Sequence, residues 1–178
     1  MDDGRNHTLT CVALRGQMAA LLPELRAFAR FLIRDRSEAD DLVQEALVRG
    51  LAALGQFHQG SNMKAWLFTI LRNAFYEQIR RRRTERSALE RAGPGESVTA
   101  AHQYGEADLN DLQRLLWTLP PLLRESLVLV GAQGLAYEDA ALICNVPVGT
   151  IKARVSRARA RITEAMEGHP KPPETDTP

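Results

Sequence analysis

The residues of this chain best suited to chemistry are five basic side chains in one short segment. Lys152, Arg154, Arg157, Arg159 and Arg161 are interspersed with apolar residues, and no acidic residue lies between them. Ammonium and guanidinium groups neutralise phosphates, and polar side chains near the start of a helix reach base edges in the major groove of DNA. The chemistry that this segment predicts is therefore binding of duplex DNA.

The residues just before this segment have the spacing of a helix-turn-helix, which would position the basic side chains. Ala141 is small where the second helix must cross the first, and Asn145, four positions later, tolerates a left-handed turn conformation. Ile151, six positions further, is the apolar anchor of the second helix, and Pro147 cannot continue the first. A solvated basic face is the alternative, but the turn spacing favours DNA reading.

A second basic cluster follows a group of aromatic residues. Residues 72–91 contain seven Arg and three Glu, a local net charge of +4. Clustered Arg beside flat aromatic faces suits single-stranded DNA, whose bases need stacking partners and whose phosphates need neutralising. Tyr76 and Gln78 lie off the apolar stripe and are interpreted as contacts. The other aromatic residues here are Trp66 and Phe75, which lie on that stripe and are interpreted as core, and Phe68.

Two polar residues, Ser61 and Asn62, come just before this predicted helix. They can hold a flipped base through hydrogen bonds, or they can simply cap the helix, and the sequence leaves both interpretations open. Apolar residues spaced three and four apart predict three helices here, the second capped by Ser37. The three stripes are Leu21, Leu25, Phe28, Ala29 and Leu32; Ala39, Leu42, Val43, Ala46, Leu47, Leu51 and Leu54; and Trp66, Leu67, Ile70, Leu71, Ala74, Phe75 and Ile79.

The chain is predicted to be all-α, with two small helical domains. The first covers residues 15–91 and the second covers residues 108–167. Between them, residues 92–107 belong to a Gly- and Pro-containing acidic stretch that is typical of a flexible linker. Residues 168–178 hold four of the nine prolines and are predicted to be a disordered tail.

Composition excludes several classes of protein. The longest stretch without a charged residue, residues 50–63, is only 14 residues long and contains polar side chains, so no membrane span is predicted. The charged N-terminus has no apolar signal core, and Cys11 and Cys144 form no CxxC pair, which together favour a reduced, cytoplasmic protein. The four histidines are dispersed, so we expect no metal or other cofactor. No nucleophile–base constellation occurs, so we expect neither catalytic residues nor a small-molecule substrate.

Two linked motifs make the chain resemble a group IV, extracytoplasmic-function (ECF) sigma factor of bacterial RNA polymerase. The first is ADDLVQEA at 39–46 followed by MKAWLFTILRN at 63–73, and it resembles the family's conserved region 2. The second joins LP at 119–120, GLAYEDAA at 134–141 and VGTIKARVSRAR at 148–159, and it resembles region 4. The NAFYEQ segment at 73–78 and the short tail are most similar to the alphaproteobacterial general-stress, or EcfG-type, subgroup.

This resemblance implies promoter recognition and transcription initiation, with a role for each motif. The partners would be core RNA polymerase, through its β′ clamp and β flap, and promoter DNA, both duplex and single-stranded. Polymerase contacts would be Asp41, Gln44 and Glu45, for which a solvated acidic face is the alternative. Contacts to the −10 element would be Ser61, Asn62, Asn73, Tyr76, Gln78 and Arg80. Contacts to the −35 element would be Thr150, Lys152, Arg154, Ser156 and Arg157.

Two departures from the family pattern and two rival functions remain. Asn145 replaces a common Gly or Asp in the turn, and Ala153 replaces a common Ser, so base readout at position 153 is not expected. The resemblance also implies an anti-sigma factor as a partner. One rival is a sigma-like decoy that sequesters such a factor, although decoys lack the basic helix. The other is a helix-turn-helix repressor, which would need a dimerising or ligand-binding domain.

Overall fold

The computed structural model describes residues 3–58, 60–91 and 111–167, and within these ranges the chain is helical with no strand. The predicted linker at 92–107 and the predicted tail lie outside the described residues. The α-helices are α1 (Asp3–Ala20), α2 (Leu22–Leu32), α3 (Arg36–Ala52), α4 (Met63–Arg91), α5 (Asp111–Thr118), α6 (Pro121–Leu127), α7 (Tyr137–Cys144) and α8 (Val148–Glu167).

Local hydrogen bonds fix where the N-terminal helices begin. The carboxylate of Asp35 accepts from the backbone N–H of Glu38 at 2.9 Å, so α3 begins at Arg36 and the predicted cap at Ser37 is wrong. Asn62 caps α4, because its Oδ1 accepts from the backbone N–H of Ala65 at 3.1 Å. Helix α1 was not predicted, although it buries Met18 in the core.

Helices α2, α3 and α4 pack around a core of fully buried side chains. Phe28 and Phe68 stack at its centre, with ring centroids 4.9 Å apart and planes 18° apart. Phe68, grouped by sequence with the aromatic residues near the DNA-binding segment, is therefore a core residue. Two members of the predicted stripes, Leu51 and Ile79, are exposed, whereas Leu54 at the end of its stripe is buried.

The predicted helix-turn-helix is confirmed. Asn145 has φ 52° and ψ 52°, the left-handed conformation that ends α7 and starts the turn into α8. Ala141 is buried where α7 and α8 meet, and Ile151 is fully buried as the anchor of α8. Thr150 lies in the first turn of α8, which begins at Val148.

The two helical domains pack directly against each other, which the sequence did not predict. Helix α4 of the first domain contacts α7 of the second. One continuous apolar cluster includes Leu67 and Leu71 on α4 and Ala140 and Ile143 on α7. In the described part of the chain, no helix is both long and apolar enough to cross a membrane, and no group of side chains could hold a metal ion.

Candidate promoter and polymerase interfaces

Helix α8 presents a basic face to solvent and an apolar face to the protein. Lys152, Ser156 and Arg157 are exposed, whereas Ile151 and Val155 are buried beneath them. Residues four apart lie on the same side of a helix, so Lys152 and Ser156 share one face. The ammonium group of Lys152 lies 5.8 Å from the ring centroid of Tyr137. This surface is open in the way that groove binding requires.

Arg154 differs from the exposed −35 candidates Lys152, Ser156 and Arg157. Its side chain is half-buried, and its Nη1 atom is buried with no hydrogen-bond partner in the described chain. Its charge acts on the buried thiol of Cys144. In this conformation Arg154 therefore lies against the protein rather than on the outer face of α8.

The polar residues before α4 have partners in both domains. Ser61 donates its hydroxyl to the backbone carbonyl of His58 at 2.6 Å. Asn62, besides capping α4, donates its Nδ2 to the carboxylate of Asp139 at 2.9 Å. Capping is thus established for Asn62, and base capture by either residue stays a prediction.

The middle of α4 is joined to α6 by a buried cluster around Glu125. Arg72 donates its Nε to Glu125 at 2.6 Å, and the hydroxyl of Tyr76 donates to the other carboxylate oxygen at 3.2 Å. The carboxylate side chain is 1% exposed and that of Arg72 is 13% exposed. Burial would lower the pKa of Arg72, but the charge of Glu125, its hydrogen bond to Arg72 and smaller contributions from neighbouring groups together outweigh burial, so the pKa is raised.

Burial and Glu125 also suppress ionisation of two neighbouring groups. Burial, assisted by the negative charge of Glu125, raises the pKa of Tyr76 to about 12. The same two causes raise the pKa of the Cys144 thiol to about 12. Both groups are therefore neutral at physiological pH.

Further contacts join the domains around this cluster. The ammonium group of Lys64 donates to the backbone carbonyl of Gln133 at 2.6 Å. The guanidinium of Arg124 donates to the carbonyl of Phe31 at 2.9 Å and lies 3.8 Å from the ring centroid of Trp117. Sequence reasoning found none of these pairs, because no local pattern links residues so far apart in the chain.

The last turns of α4 project away from the core. Asn73 and Arg80 are exposed, and residues 80–86 are all exposed. Arg81 pairs with Glu85 at 2.8 Å, and Arg82 pairs with Glu38 at 3.2 Å. The segment keeps a strongly basic surface.

Helix α3 has an outer stripe that is exposed in the described part of the chain. Asp41 and Gln44 are exposed, and two apolar side chains extend the same face, Val48 at 66% and Leu51 at 47% exposure. Sequence reasoning missed Val48 and placed Leu51 in the core. The spacing of the sequence could have indicated it, because Val48 is an apolar residue that does not fall on the stripe predicted to be buried and therefore belongs to another face of the helix.

Glu45, the third predicted polymerase contact, is held inside the protein's own network. It pairs with Arg49 at 2.6 Å and accepts a hydrogen bond from Gln78 at 2.7 Å. Arg49 in turn pairs with Glu77 at 2.6 Å. Gln78, a predicted −10 contact, is therefore tied to α3 rather than facing solvent freely.

Two parts of the chain match known protein families. Residues 18–85 match the Sigma-70 region 2 family, and residues 109–162 match the Sigma-70 region 4 family. The chain is 47% identical over 157 residues to the ECF RNA polymerase sigma factor EcfG of Rhodopseudomonas palustris, which covers 86% of this chain and 85% of that protein. The chain belongs to the ECF sigma factors. Core RNA polymerase and promoter DNA are accordingly its partners, and its function is promoter recognition in transcription initiation.

Other relatives support the same family. This sigma factor is 34% identical over 148 residues to ECF sigma factor SigC of Mycobacterium tuberculosis, covering 83% of this chain and 80% of that one. Its structure is similar to that of the sigma factor RpoE from Bartonella quintana, solved in complex with the anti-sigma factor NepR. That similarity has a TM-score of 0.68 and 41% identity, and covers 96% of this chain and all of the other.

Proposed function

We propose that this sigma factor divides promoter recognition among three surfaces, with α3 binding core polymerase, α4 holding the −10 strand and α8 reading the −35 duplex. The observation that carries the proposal is the basic outer face of α8, exposed on a confirmed helix-turn-helix in a chain that also contains region 2. The polymerase performs the chemistry, and this chain supplies no catalytic residue.

The stripe on α3 supports polymerase docking. Val48 and Leu51 are exposed beside Asp41 and Gln44, and exposed apolar side chains next to charged ones are typical of a protein-binding face. The resemblance to region 2 makes the coiled coil of the β′ clamp the partner. Glu45 supports the face indirectly by fixing Arg49, and region 4 engages the β flap.

DNA recognition is shared between two individually weak sites. Lys152, Ser156 and Arg157 meet base edges and phosphates of the −35 element, with Thr150 at the start of the same helix. Asn73, Tyr76, Gln78 and Arg80, with Ser61 and Asn62, hold the melted −10 strand. Because polymerase fixes the spacing of the two domains, two weak sites act as one tight site. The free chain is therefore expected to bind promoter DNA poorly.

An anti-sigma factor of the NepR kind is proposed as the regulator. The support is the likeness to RpoE from Bartonella quintana, which was solved with NepR, and to EcfG. The likeness to EcfG also supports a role in expressing stress-response genes. Such a protein acts in the cytoplasm, where core polymerase and promoter DNA are located.

Run-off transcription tests the proposed function. Purified core polymerase is incubated with a promoter template, with and without this protein, and the length and amount of transcript are measured. A promoter-dependent transcript that requires the protein supports the proposal. If the protein binds an anti-sigma factor but yields no such transcript, the decoy function is favoured instead.

A further inference from the structure

The side-chain amide of Gln78 is held by a network that joins α3 to α4. Its Nε2 donates to one carboxylate oxygen of Glu45 at 2.7 Å, and Arg49 pairs with the other oxygen at 2.6 Å. Arg49 also pairs with Glu77 at 2.6 Å, so its guanidinium group is held by carboxylates of both helices. The Gln78 amide therefore has a fixed partner, although its side chain is only part-buried.

The chemistry of these partners decides which way the amide points. A side-chain amide has a donor end and an acceptor end of nearly the same shape, whereas a carboxylate paired with a guanidinium group offers only acceptor oxygens. The amide nitrogen of Gln78 must therefore face Glu45, and its carbonyl oxygen, Oε1, faces away from it. Within the described residues, no donor reaches Oε1. Gln78 thus presents an unused acceptor to a ligand.

Gln78 also lines a cavity of about 140 Å³, together with Phe75, Ile79 and Arg82 of α4 and Trp117 of region 4. The carboxylates and the guanidinium group of the network do not line it, so Gln78 lies between the network and the cavity. A cavity of about 150 Å³ can hold a benzene ring, so the space is of the size of one aromatic ring. The walls that α4 supplies accompany Gln78 in the holoenzyme, because they belong to the same helix.

We propose that Glu45 and Arg49 are positioning residues that make Gln78 an acceptor, so that Gln78 selects a −10 base with an exocyclic amino group. Adenine and cytosine carry such a group, whereas thymine has a carbonyl oxygen in the corresponding place. A carbonyl oxygen placed against Oε1 would leave two acceptors facing each other. This inference rests on the proposed function, which assigns Gln78 to the −10 strand, and it names the class of base that this residue reads.

The same chemistry states what Glu45→Gln does to the amide of Gln78. Arg49 has donors only, so the amide oxygen introduced at position 45 faces Arg49 and the new nitrogen faces Gln78. Oε1 of Gln78 then accepts that hydrogen bond, and its Nε2 turns toward the strand. Gln78 becomes a donor, which suits a base with a carbonyl oxygen. A merely structural role for Glu45 would instead weaken binding to every base alike.

Base analogues measure this selection in the holoenzyme. The protein is mixed with saturating core polymerase and with a fluorescein-labelled single strand of the −10 region from the promoter used for run-off transcription, and binding is followed by anisotropy. Each position of the strand carries in turn adenine or hypoxanthine, and cytosine or uracil. The members of each pair differ in having an amino group or a carbonyl oxygen on the same ring carbon. Their affinity ratio is independent of any change in polymerase binding.

Four proteins are compared, and far-UV circular dichroism checks that each remains helical. They are wild type, Glu45→Gln, Gln78→Ala and the control Glu85→Gln, which removes a carboxylate of α4 that pairs with Arg81 rather than with the network. Gln78→Ala identifies the position that Gln78 reads, because the preference at that position alone should disappear. There, wild type and the control should bind the amino-bearing base about three- to tenfold more tightly than its carbonyl counterpart, as for one hydrogen bond.

Glu45→Gln should reverse the preference at that position and leave the other positions as in wild type. If Gln78→Ala abolishes a preference that Glu45→Gln leaves unchanged, positioning by Glu45 is refuted while the −10 contact of Gln78 stands. If Gln78→Ala changes neither affinity nor preference, the inference and the assignment of Gln78 to the −10 strand are both overturned. Failure of wild type to support run-off transcription would instead count against the proposed function as a whole.

Discussion

Asn62 uses both ends of its side-chain amide, with Oδ1 accepting from the backbone of Ala65 and Nδ2 donating to Asp139 across the domain boundary. One residue thus begins the longest helix of region 2 and contacts the first helix of the DNA-reading motif. A base that Asn62 held through its Nδ2, as the proposed function expects, would need the donor that Asp139 occupies. Capture of such a base by Asn62 must therefore displace Asp139, whereas the cap can remain.

The turn of the helix-turn-helix gives a test of stability. Asn145→Val places a β-branched side chain at φ 52°, and we expect it to lower the free energy of unfolding by at least about 1–2 kcal/mol. Asn145→Gly should be neutral or slightly stabilising, because glycine adopts this conformation without strain. Urea unfolding followed by circular dichroism measures both. Equal stability of the two variants would contradict a penalty for a β-branched side chain at this position.

The outer stripe of α3 gives a test of polymerase binding. Val48→Glu introduces a charge into the centre of the proposed docking face, and we expect a loss of affinity for core polymerase of about tenfold or more, as for an apolar interface contact. Val12→Glu on α1 makes the same change at a similarly exposed apolar residue outside the stripe. Competition for core polymerase measures both. A similar loss for both variants would mean that the effect is not specific to the stripe.

Helix α8 gives a test of −35 recognition. Lys152→Ala is expected to reduce run-off transcription about tenfold from a promoter with its −35 element, since one specific base contact is worth about 1–3 kcal/mol. Transcription from a template with a scrambled −35 element should already be low and change little. Thr163→Ala, at an exposed residue later in the same helix that is not part of the basic segment, is the control. Lys152 is not a base contact if its loss affects both templates equally.

The buried thiol gives a test of pH-dependent reactivity. With the pKa of Cys144 raised from 9.0 to about 12, the thiolate fraction at pH 8 falls about a thousandfold. In a Cys11→Ser protein we therefore expect very slow reaction with a chromogenic disulfide reagent, and rapid reaction of one thiol in guanidinium chloride. Raising the pH from 8 to 10 should increase the native rate about tenfold per pH unit. Fast native labelling at pH 8 would contradict the burial of this thiol.

Local rules predicted much of the fold and of the DNA-reading motif. The left-handed turn, the small residue at the helix crossing and the apolar anchor each depend on a few neighbouring residues, so Ala141, Asn145 and Ile151 could be read directly. The cap of α3 was misassigned because Asp35 and Ser37 are both good caps, and only the three-dimensional geometry selects between them.

The domain contact could not be predicted in the same way. Arg72 looked like one member of a DNA-binding cluster, since its sequence neighbourhood is basic. Its partner, Glu125, lies 53 residues away on α6. The sequence around Glu125 is mostly apolar, and it gives no sign that the basic partner of this buried carboxylate lies in the other domain. Periodicity likewise placed Leu51 in the core, although the helix exposes it on the docking stripe.

The exposed basic end of α4 affects how strongly promoter affinity depends on ionic strength. Like charges three and four residues apart destabilise a helix by about 0.2–0.5 kcal/mol per pair. Dissolved ions screen this repulsion and so strengthen the helix that carries Arg80 and its neighbours, while they weaken attraction to phosphates much more. The two effects oppose each other. Promoter affinity should therefore fall less steeply with ionic strength than the number of phosphates in contact with this helix would predict.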